Sequence, residues 1–298
     1  MSILALFQEF FDNLLYRFCI DWRPGALERG DKPLGAHRIF ATFMAMNLTD
    51  FSAWLNRLLE PRAFKDFCNN GLCVEASDKV TRVVTGVSFR DRLIDAAIEC
   101  HADCIVVHHP NGFWNGESRV LVGKFGERMR RLMQQGISLY GFHLPLDGHA
   151  EIGNNAQIAS QLGLRVVEGF MLEGDRPVGW IGEFDSPCSQ AEFLNRAGRA
   201  FEHGVQNALM YGKNAIRRVA ICSGSGASGI EEALSLGCDA FVTGDIKESV
   251  PILCEELGLN LVSAGHHRTE IFGVRALAQK IQAELGVPAN FIDIDNPV

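Results

Sequence analysis

The sequence predicts an α/β protein in which two α/β portions flank a smaller α+β segment. Two observations support this prediction. Strand and helix patterns alternate from Lys79 to about residue 166, and the alternation resumes after Arg217. Between these portions, residues 167–216 contain short strand patterns and one helix pattern. Such alternation is typical of mainly parallel sheets covered by helices, with ligands gathered at the carboxyl ends of the strands.

The first α/β portion is predicted over residues 46–166. It opens with a capped amphipathic helix in "NLTDFSAWLNRLLE", and a strand follows in "KVTRVVTGV". The next helix, in "SFRDRLIDAAIECHA", is predicted to begin at Ser88, because Asp91 three residues later completes a capping box. The remaining elements in chain order are a buried strand in "DCIVVHH", a helix in "VLVGKFGERMRRLMQQ" that ends at Gly136, a strand in "ISLYGFH" and a helix in "GNNAQIASQLGL".

The second α/β portion is predicted over residues 217–298, after the middle segment 167–216. Strands in "RRVAICS" and "CDAFVTG" flank a helix around "SGIEEALSLG". The later elements are a strand in "NLVSAG", a long helix in "RTEIFGVRALAQKIQAELG" and a final strand in "ANFIDID".

Residues 1–45 are predicted to be an extension or to reflect a mis-assigned start. Charged residues interrupt their apolar run well short of the roughly 20 apolar residues that cross a bilayer, and no basic region precedes it. The following "GALERGDKPLGAHR" is typical of a linker, and Met44 or Met46 offers a second plausible beginning. N-terminal sequencing of the native protein tests this hypothesis, since finding Met1 or Ser2 would contradict it.

Composition excludes some function classes. The formal net charge of −8 and the absence of a long Lys/Arg block argue against a general nucleic-acid surface and against an anionic-membrane surface. Nine cysteines are scattered singly along the chain, which favours a reducing compartment, and we therefore expect a cytoplasmic protein.

Polar side chains cluster where three predicted strands end. Their types are imidazole and carboxylate, which together suit zinc, iron, manganese or nickel. A catalytic zinc ion typically takes three protein ligands, so this larger set fits two ions bridged by a carboxylate. The isolated histidines His37, His101 and His203 are interpreted as surface or hydrogen-bonded residues. The clustered residues are His108, His109, His143, Asp147, His149, His266, His267 and Glu270.

A competing motif lies in "ICSGSGASG". Gly224, Gly226 and Gly229 match G-x-G-x-x-G between a strand and a helix, with Asp245 about twenty residues further on. This is the pattern of a dinucleotide-binding turn, but it comes late in the chain. A Gly/Ser turn at this place also serves tight packing or a single anion.

Several segments together resemble the Nif-three-like dinuclear metal-centre family, also known as GTP cyclohydrolase I type 2 homologues. The resemblance implies two divalent metal ions per chain, with Glu270 as the natural bridge between them. It also implies that His143 is a neighbour of the site and that His267 is not a ligand. The implied ligands are His108, His109, Asp147, His266 and Glu270. The similar segments are "ADCIVVHHPNGFWNG", "GFHLPLDGHAEIGNNAQIASQLGL", "RRVAICSGSGASGIEEALSLGCDAFVTGDIKES", "LVSAGHHRTEIFGVRALAQKI" and "FIDIDNPV".

The resemblance extends from about residue 48 to the C-terminus, so residues 1–45 have no counterpart in it. It implies two interlinked α/β units with a metal cleft between them, assembled as a toroidal homohexamer. The Gly224–Gly229 stretch becomes a loop near the site. The departures are Gly148 and Ala150, which stand where relatives tend to have Ala and Pro, and which affect loop stiffness more than ligation.

We therefore hypothesise a metal-dependent hydrolase acting on a nucleotide-like, heterocyclic or small phosphorylated substrate; the alternative is a non-catalytic metal-binding, metal-delivery or scaffold protein. His143 or His149 serves either as a proton carrier or as an orienting partner of a ligand, with the orienting role favoured. Because neighbouring strand residues alternate sides, we expect His108 and His109 to serve different ions, with Glu270 spanning both. GTP ring opening follows only from the family name, since nothing in the sequence identifies a guanine site.

Overall fold

Residues 45–298, which are the residues described by the computed structural model, form two large β-sheets with helices on their faces and one small two-stranded sheet. The predicted α/β class is confirmed. The predicted extension, residues 1–45, lies outside the described residues except for Ala45, and so does His37. Within residues 45–298, no helix combines the length and the apolarity needed to cross a bilayer.

The first sheet has the strand order β13, β4, β5, β6, β2. Its first four strands are parallel neighbours, and β2 pairs antiparallel with β6 at the edge. The strands of this half are β1 (Met46–Asn47), β2 (Gly71–Val74), β3 (Lys79–Val80), β4 (Val83–Ser88), β5 (Cys104–His109) and β6 (Ser138–Gly141). The helices are α1 (Leu48–Leu59), α2 (Asp91–Glu99), α3 (Gly123–Gln135), α4 (Leu144–Gly148) and α5 (Asn154–Leu162).

Helix ends in this half follow local signals in two cases. The predicted first helix is confirmed as α1, and the Asn47 side chain caps it by accepting a hydrogen bond from the Thr49 backbone N–H at 2.8 Å. Helix α3 ends at Gly136, as predicted, where the left-handed φ of 65° favours glycine.

Two predicted helix starts are wrong. Ser88 does not cap α2, because it is the last residue of β4 and pairs with His109 in the sheet, so the helix begins only at Asp91. The sheet pairing therefore overrides a local capping signal. Helix α3 begins at Gly123 and not at Val120, and Val120, Leu121 and Val122 lie outside it with more than 60% of their surface exposed.

The second sheet has the strand order β7, β8, β10, β11, β12, β9. Its centre, β10 to β12, is parallel, whereas the strands of the middle segment join its two edges antiparallel. That segment therefore contributes a long hairpin and an edge strand to this sheet, where the sequence pattern predicts short strands. Its strands are β7 (Arg165–Glu173), β8 (Arg176–Cys188), β9 (Asn207–Met210), β10 (Ile216–Cys222), β11 (Ala240–Thr243) and β12 (Asn260–Ser263), and β13 (Ala289–Phe291), which belongs to the first sheet, follows them in the chain. The helices are α6 (Gln190–Ala200), α7 (Ile230–Ser235), α8 (Ser249–Leu257) and α9 (His266–Leu285).

The two sheets are interlinked by the end of the chain. Helix α9 leaves the second sheet, packs against β4, and receives a hydrogen bond from the Thr85 hydroxyl to the Val274 carbonyl at 2.8 Å. Strand β13 then pairs in parallel with β4 of the first sheet. One apolar cluster accordingly contains buried residues of both halves. This arrangement brings the carboxyl ends of β5 and β6 towards those of β10, β11 and β12.

Candidate metal centre

Five side chains predicted to bind metal converge between the two sheets. His108 and His109 end β5, and Asp147 lies on α4, the short helix that follows β6. His266 and Glu270 lie on the first turn of α9, where an i, i+4 spacing places both side chains on one face. Strand ends and helix starts of both halves therefore supply the site.

Glu270 is the centre of this arrangement. Its Oε1 lies 3.5 Å from His108 Nε2 and 3.2 Å from His266 Nε2, and its Oε2 lies 3.2 Å from His109 Nε2. Asp147 Oδ2 lies 3.6 Å from His108 Nε2. The side chains form two sets that share Glu270. We call His108, Asp147 and Glu270 the buried ligand group, and His109, His266 and Glu270 the open ligand group.

These separations suit metal ligation. Two donor atoms bound to one ion at about 2.1 Å, with a tetrahedral angle between them, lie about 3.4 Å apart. Among the described residues, His108 Nε2 and Glu270 Oε2 are also buried polar atoms without a hydrogen-bond partner. Buried polar atoms rarely lack a partner without a functional reason. The residues present therefore fit a pair of divalent ions, and neither imidazole of the His108–His109 pair is turned away into apolar core.

The electrostatics of the cluster favour positive charge. Burial disfavours the charged forms, yet His109 and His108 hold the pKa of Glu270 well below its usual range. Against the same effect of burial, Asp147 and Glu270 raise the pKa of His108 to about 9. The hydrogen bond with Glu270 raises the pKa of His266 to about 9. Carboxylates that stabilise imidazolium ions this strongly also attract a metal cation.

Surrounding groups orient the candidate ligands. His108 Nδ1 donates to the Phe142 carbonyl at 3.0 Å, and His266 Nδ1 donates to Asp245 Oδ2 at 2.9 Å. Each of these bonds leaves Nε2 directed at Glu270, as metal-binding histidines require. Asp147 Oδ1 accepts from Asn154 Nδ2 at 2.9 Å and from the Ser223 hydroxyl at 3.0 Å, which leaves Oδ2 for the centre.

The pair Asp66 and His143 adjoins the centre. Asp66 Oδ1 accepts a hydrogen bond from His143 Nδ1 at 3.0 Å, and the imidazole lies 5.1 Å from that of His108, measured between ring centroids. Although burial raises the pKa of Asp66, the contact with His143 lowers it to about 2. Asp66 is thus an ionised acceptor that fixes the orientation of His143.

The other histidines of the pattern have different surroundings. His149 Nδ1 accepts from the backbone N–H groups of Glu151 and Ile152, at 3.1 and 3.2 Å, and so closes a turn. His267 Nε2 donates to Asp293 Oδ1 at 2.9 Å and belongs to neither ligand group. His101 and His203 are exposed.

The glycine motif lies against the centre. A Cβ atom at Gly224, whose φ is +56°, would lie only 2.4 Å from Glu270 Oε1 and 3.1 Å from His266 Nε2. Gly224 therefore makes room for the Glu270 carboxylate, and Asp245, which the dinucleotide pattern would assign to a ribose, instead holds His266. Gly148 is also tightly packed, since a Cβ there would lie 2.2 Å from the Pro177 carbonyl oxygen.

Sequence reasoning did not assign a supporting role to four residues, Asp66, Asn154, Ser223 and Asp245, of which it named only Asp245, as part of the dinucleotide pattern. Asp66 lies in an irregular segment that carries no pattern, so no signal identified it. Ser223 directly follows β10, and Asp245 lies two residues after the end of β11. The strand-end pattern that identified the histidines was therefore the available signal for both residues.

Comparison with known proteins places this architecture in a family. The model of the Duf34/NIF3 (NGG1p interacting factor 3) family matches residues 46–297. The GTP cyclohydrolase 1 type 2 homolog of Vibrio cholerae is 42% identical over 255 residues, 85% of this chain and 100% of that protein. A solved structure of protein ybgI, whose function is given as unknown, has a TM-score of 0.79 at 37% identity. TTHA1606 from Thermus thermophilus has a TM-score of 0.75 at 33% identity. Each of these two matches covers 85% of this chain and 100% of the solved chain.

Proposed function

Because the chain belongs to the Duf34/NIF3 family, we propose that its two ligand groups bind two divalent metal ions and that the protein is a metal-dependent hydrolase. The observation that carries this proposal is the buried Glu270 carboxylate shared by both groups, beside His108 Nε2, which has no hydrogen-bond partner. Mixed imidazole and carboxylate ligation suits zinc, iron, manganese or nickel. Two bound ions would supply an activated water and polarise the group under attack.

His143 is the side chain best placed to move a proton in this site. Its Nδ1 hydrogen is committed to Asp66, so Nε2 carries the lone pair and is the atom that accepts a proton. It belongs with His108 and His109 to a set whose donor atoms lie within 4.8 Å of one another. His149 is the weaker choice, because its Nδ1 accepts two backbone hydrogen bonds in a turn.

The open ligand group is where a substrate would reach the site. The His266 side chain is 30% exposed, whereas His108 is completely buried. We propose a nucleotide-like, heterocyclic or small phosphorylated substrate. The name of the Vibrio cholerae relative makes GTP one member of the panel to be assayed.

Metal content and turnover of matched variants test the proposal. We expect about two equivalents of metal per chain by elemental analysis after loading. We also expect turnover, measured on nucleotides including GTP and on cyclic amides, that is lost in Glu270→Gln and Asp147→Asn. The control is Asp293→Asn, which removes a carboxylate paired with a histidine outside both ligand groups and should change neither quantity.

The outcomes separate the candidate functions. Near-zero metal content after loading with zinc, manganese, iron and nickel would overturn both the hydrolase and the metal-binding alternatives. Two equivalents of metal without turnover on any substrate would favour metal delivery or a scaffold role.

We also propose assembly as a homohexameric ring in the cytoplasm. The exposed apolar run Val120, Leu121 and Val122 supports association between chains, because an interface removes such surface from water. Light scattering of the native protein tests the assembly. A mass near six times the 32.9 kDa of one chain is expected, and a monomer would contradict it.

A further inference from the structure

Two aromatic side chains extend the wall of the candidate metal centre outwards. Phe67 and Trp114 stack on each other with ring centroids 5.6 Å apart and an interplanar angle of 26°. Phe67 also meets His143 edge-on at 5.0 Å, and Trp114 lies 5.8 Å from His109. We call Phe67 and Trp114 the aromatic platform. Its Trp114 ring lies beside the candidate ligand His109, and its Phe67 ring is separated from His108 by the imidazole of His143.

The platform is held in place by its backbone. Cys68 forms a β-bridge with Trp114, and the Asn115 N–H donates to the Phe67 carbonyl at 2.8 Å. The Phe67 N–H donates to Asp66 Oδ1 at 2.7 Å, the same carboxylate oxygen that orients His143. The platform and the proton-accepting histidine therefore share one anchor.

Phe67 nevertheless remains 60% exposed. Single exposed apolar residues are ordinary, but this ring continues a row of aromatic and imidazole rings that leads directly into the centre. A planar ring stacked on it would cover apolar surface and gain offset π stacking, which every heteroaromatic base can provide. Sugars, phosphates and aliphatic chains gain no such stacking.

We infer that the aromatic platform is a binding subsite for the planar heteroaromatic ring of the substrate. This inference rests on the proposed function and makes its substrate class more specific. The ring stacks on Phe67 while the group to be hydrolysed reaches past His143 and His109 to the open ligand group. Phosphate or sugar portions contribute to binding elsewhere and do not depend on the platform.

A matched pair of probes tests this subsite without requiring turnover. Calorimetric titration of the metal-loaded full chain compares the four nucleoside 5′-monophosphates AMP, GMP, CMP and UMP with ribose 5-phosphate, which lacks only the ring. We expect a purine nucleotide to bind at least about 10-fold more tightly than ribose 5-phosphate.

Three variants isolate the contribution of the ring. Phe67→Leu keeps apolar volume but removes the π face, so the nucleotide should lose about 10-fold in affinity while ribose 5-phosphate is unchanged. Phe67→Trp keeps the π face and should bind like the unaltered protein. Tyr211→Ala removes another exposed aromatic ring beyond β9, at the end of the second sheet opposite His266, and should have no effect.

Two results would overturn the inference. One is equal affinity for ribose 5-phosphate and all four nucleotides, and the other is unchanged nucleotide binding in Phe67→Leu. Because the platform contains no candidate ligand, the titration is repeated on protein treated with a chelator. A ring preference that persists after chelation supports the platform, and together with near-zero metal content after loading it sinks the proposed hydrolase. Two equivalents of metal without any ring preference sink the platform alone.

Discussion

The two ligand groups share Glu270 but differ in their access to water. In the buried ligand group, His108 is fully buried and Asp147 is held by Asn154 and Ser223. In the open ligand group, the His266 side chain is 30% exposed and its partner Asp245 is 37% exposed. An ion in the buried group would exchange slowly, whereas an ion in the open group would be reached by substrate and by chelators. The difference teaches that one cluster of candidate ligands can combine a fixed position with an accessible one.

The largest effect is expected from Glu270→Gln. This change keeps the shape of the side chain but leaves one neutral amide oxygen in place of the carboxylate that both ligand groups share, so each group loses a charged candidate ligand. Metal content should fall from about two equivalents to well below one, and turnover should fall at least about 100-fold. Elemental analysis and circular dichroism check content and folding. A folded variant that retains both ions would contradict the assignment of Glu270 to both ligand groups.

Changing one group at a time should remove one ion at a time. Chelation of the unaltered protein, followed with a metallochromic dye, should show a fast and a slow phase of equal amplitude. Asp147→Asn should lose the slow phase, and His266→Gln should lose the fast phase, because these residues belong to different groups. The same single release rate in both variants would mean that burial does not distinguish the groups.

An intermediate effect is expected from Asp245→Ala. Without its carboxylate, His266 Nδ1 loses its 2.9 Å hydrogen bond, and such partners are typically worth 10- to 100-fold in metal affinity, so we expect about that loss in the open group alone. Asp245→Asn retains an acceptor and should lose less. Competition titration of the fast-exchanging ion measures both values. An equal loss in the slow-exchanging ion would show that the effect is not local.

The smallest effect is expected from Gly224→Ala, for which Gly237→Ala is the matched control. Both glycines have positive φ, 56° and 76°, so alanine should cost each about 1–2 kcal/mol in the free energy of unfolding. Only Gly224 faces Glu270, whereas a Cβ at Gly237 meets no atom within 4 Å. Denaturant titration should therefore show a larger loss at Gly224, accompanied by lower metal content. Equal losses and unchanged metal content would mean that Glu270 moves aside freely.

Local sequence patterns predicted the helices and strands more reliably than they predicted which strands pair with one another in a sheet. The strand that ends in His108 and His109 follows from its apolar run, and the helix that ends at Gly136 follows from apolar periodicity and from glycine at a helix end. These signals depend on neighbouring residues alone. Ser88 shows the limit of such reasoning, because its pairing with His109 across the sheet overrode a valid capping signal. The middle segment shows it too, since no pattern within a strand says which sheet it joins.

The candidate site divides in the same way. The strand-end pattern pointed to this region, because the carboxyl ends of parallel strands meet at one edge. The resemblance to a known family then selected five of the eight residues at those ends, namely His108, His109, Asp147, His266 and Glu270. Asp66 was not predictable, because its hydrogen bond to His143 spans 77 residues of sequence and no local pattern marks it.

The sequence by itself determined the α/β class, the order of most elements and the chemical types of the candidate ligands. These depend on side-chain periodicity and on residues near one another in the chain. Only the tertiary structure decided that one ligand group is buried and the other open, and that Phe67 stands beside His143. These are distances between remote segments, and the packing of the two sheets against α9 sets them.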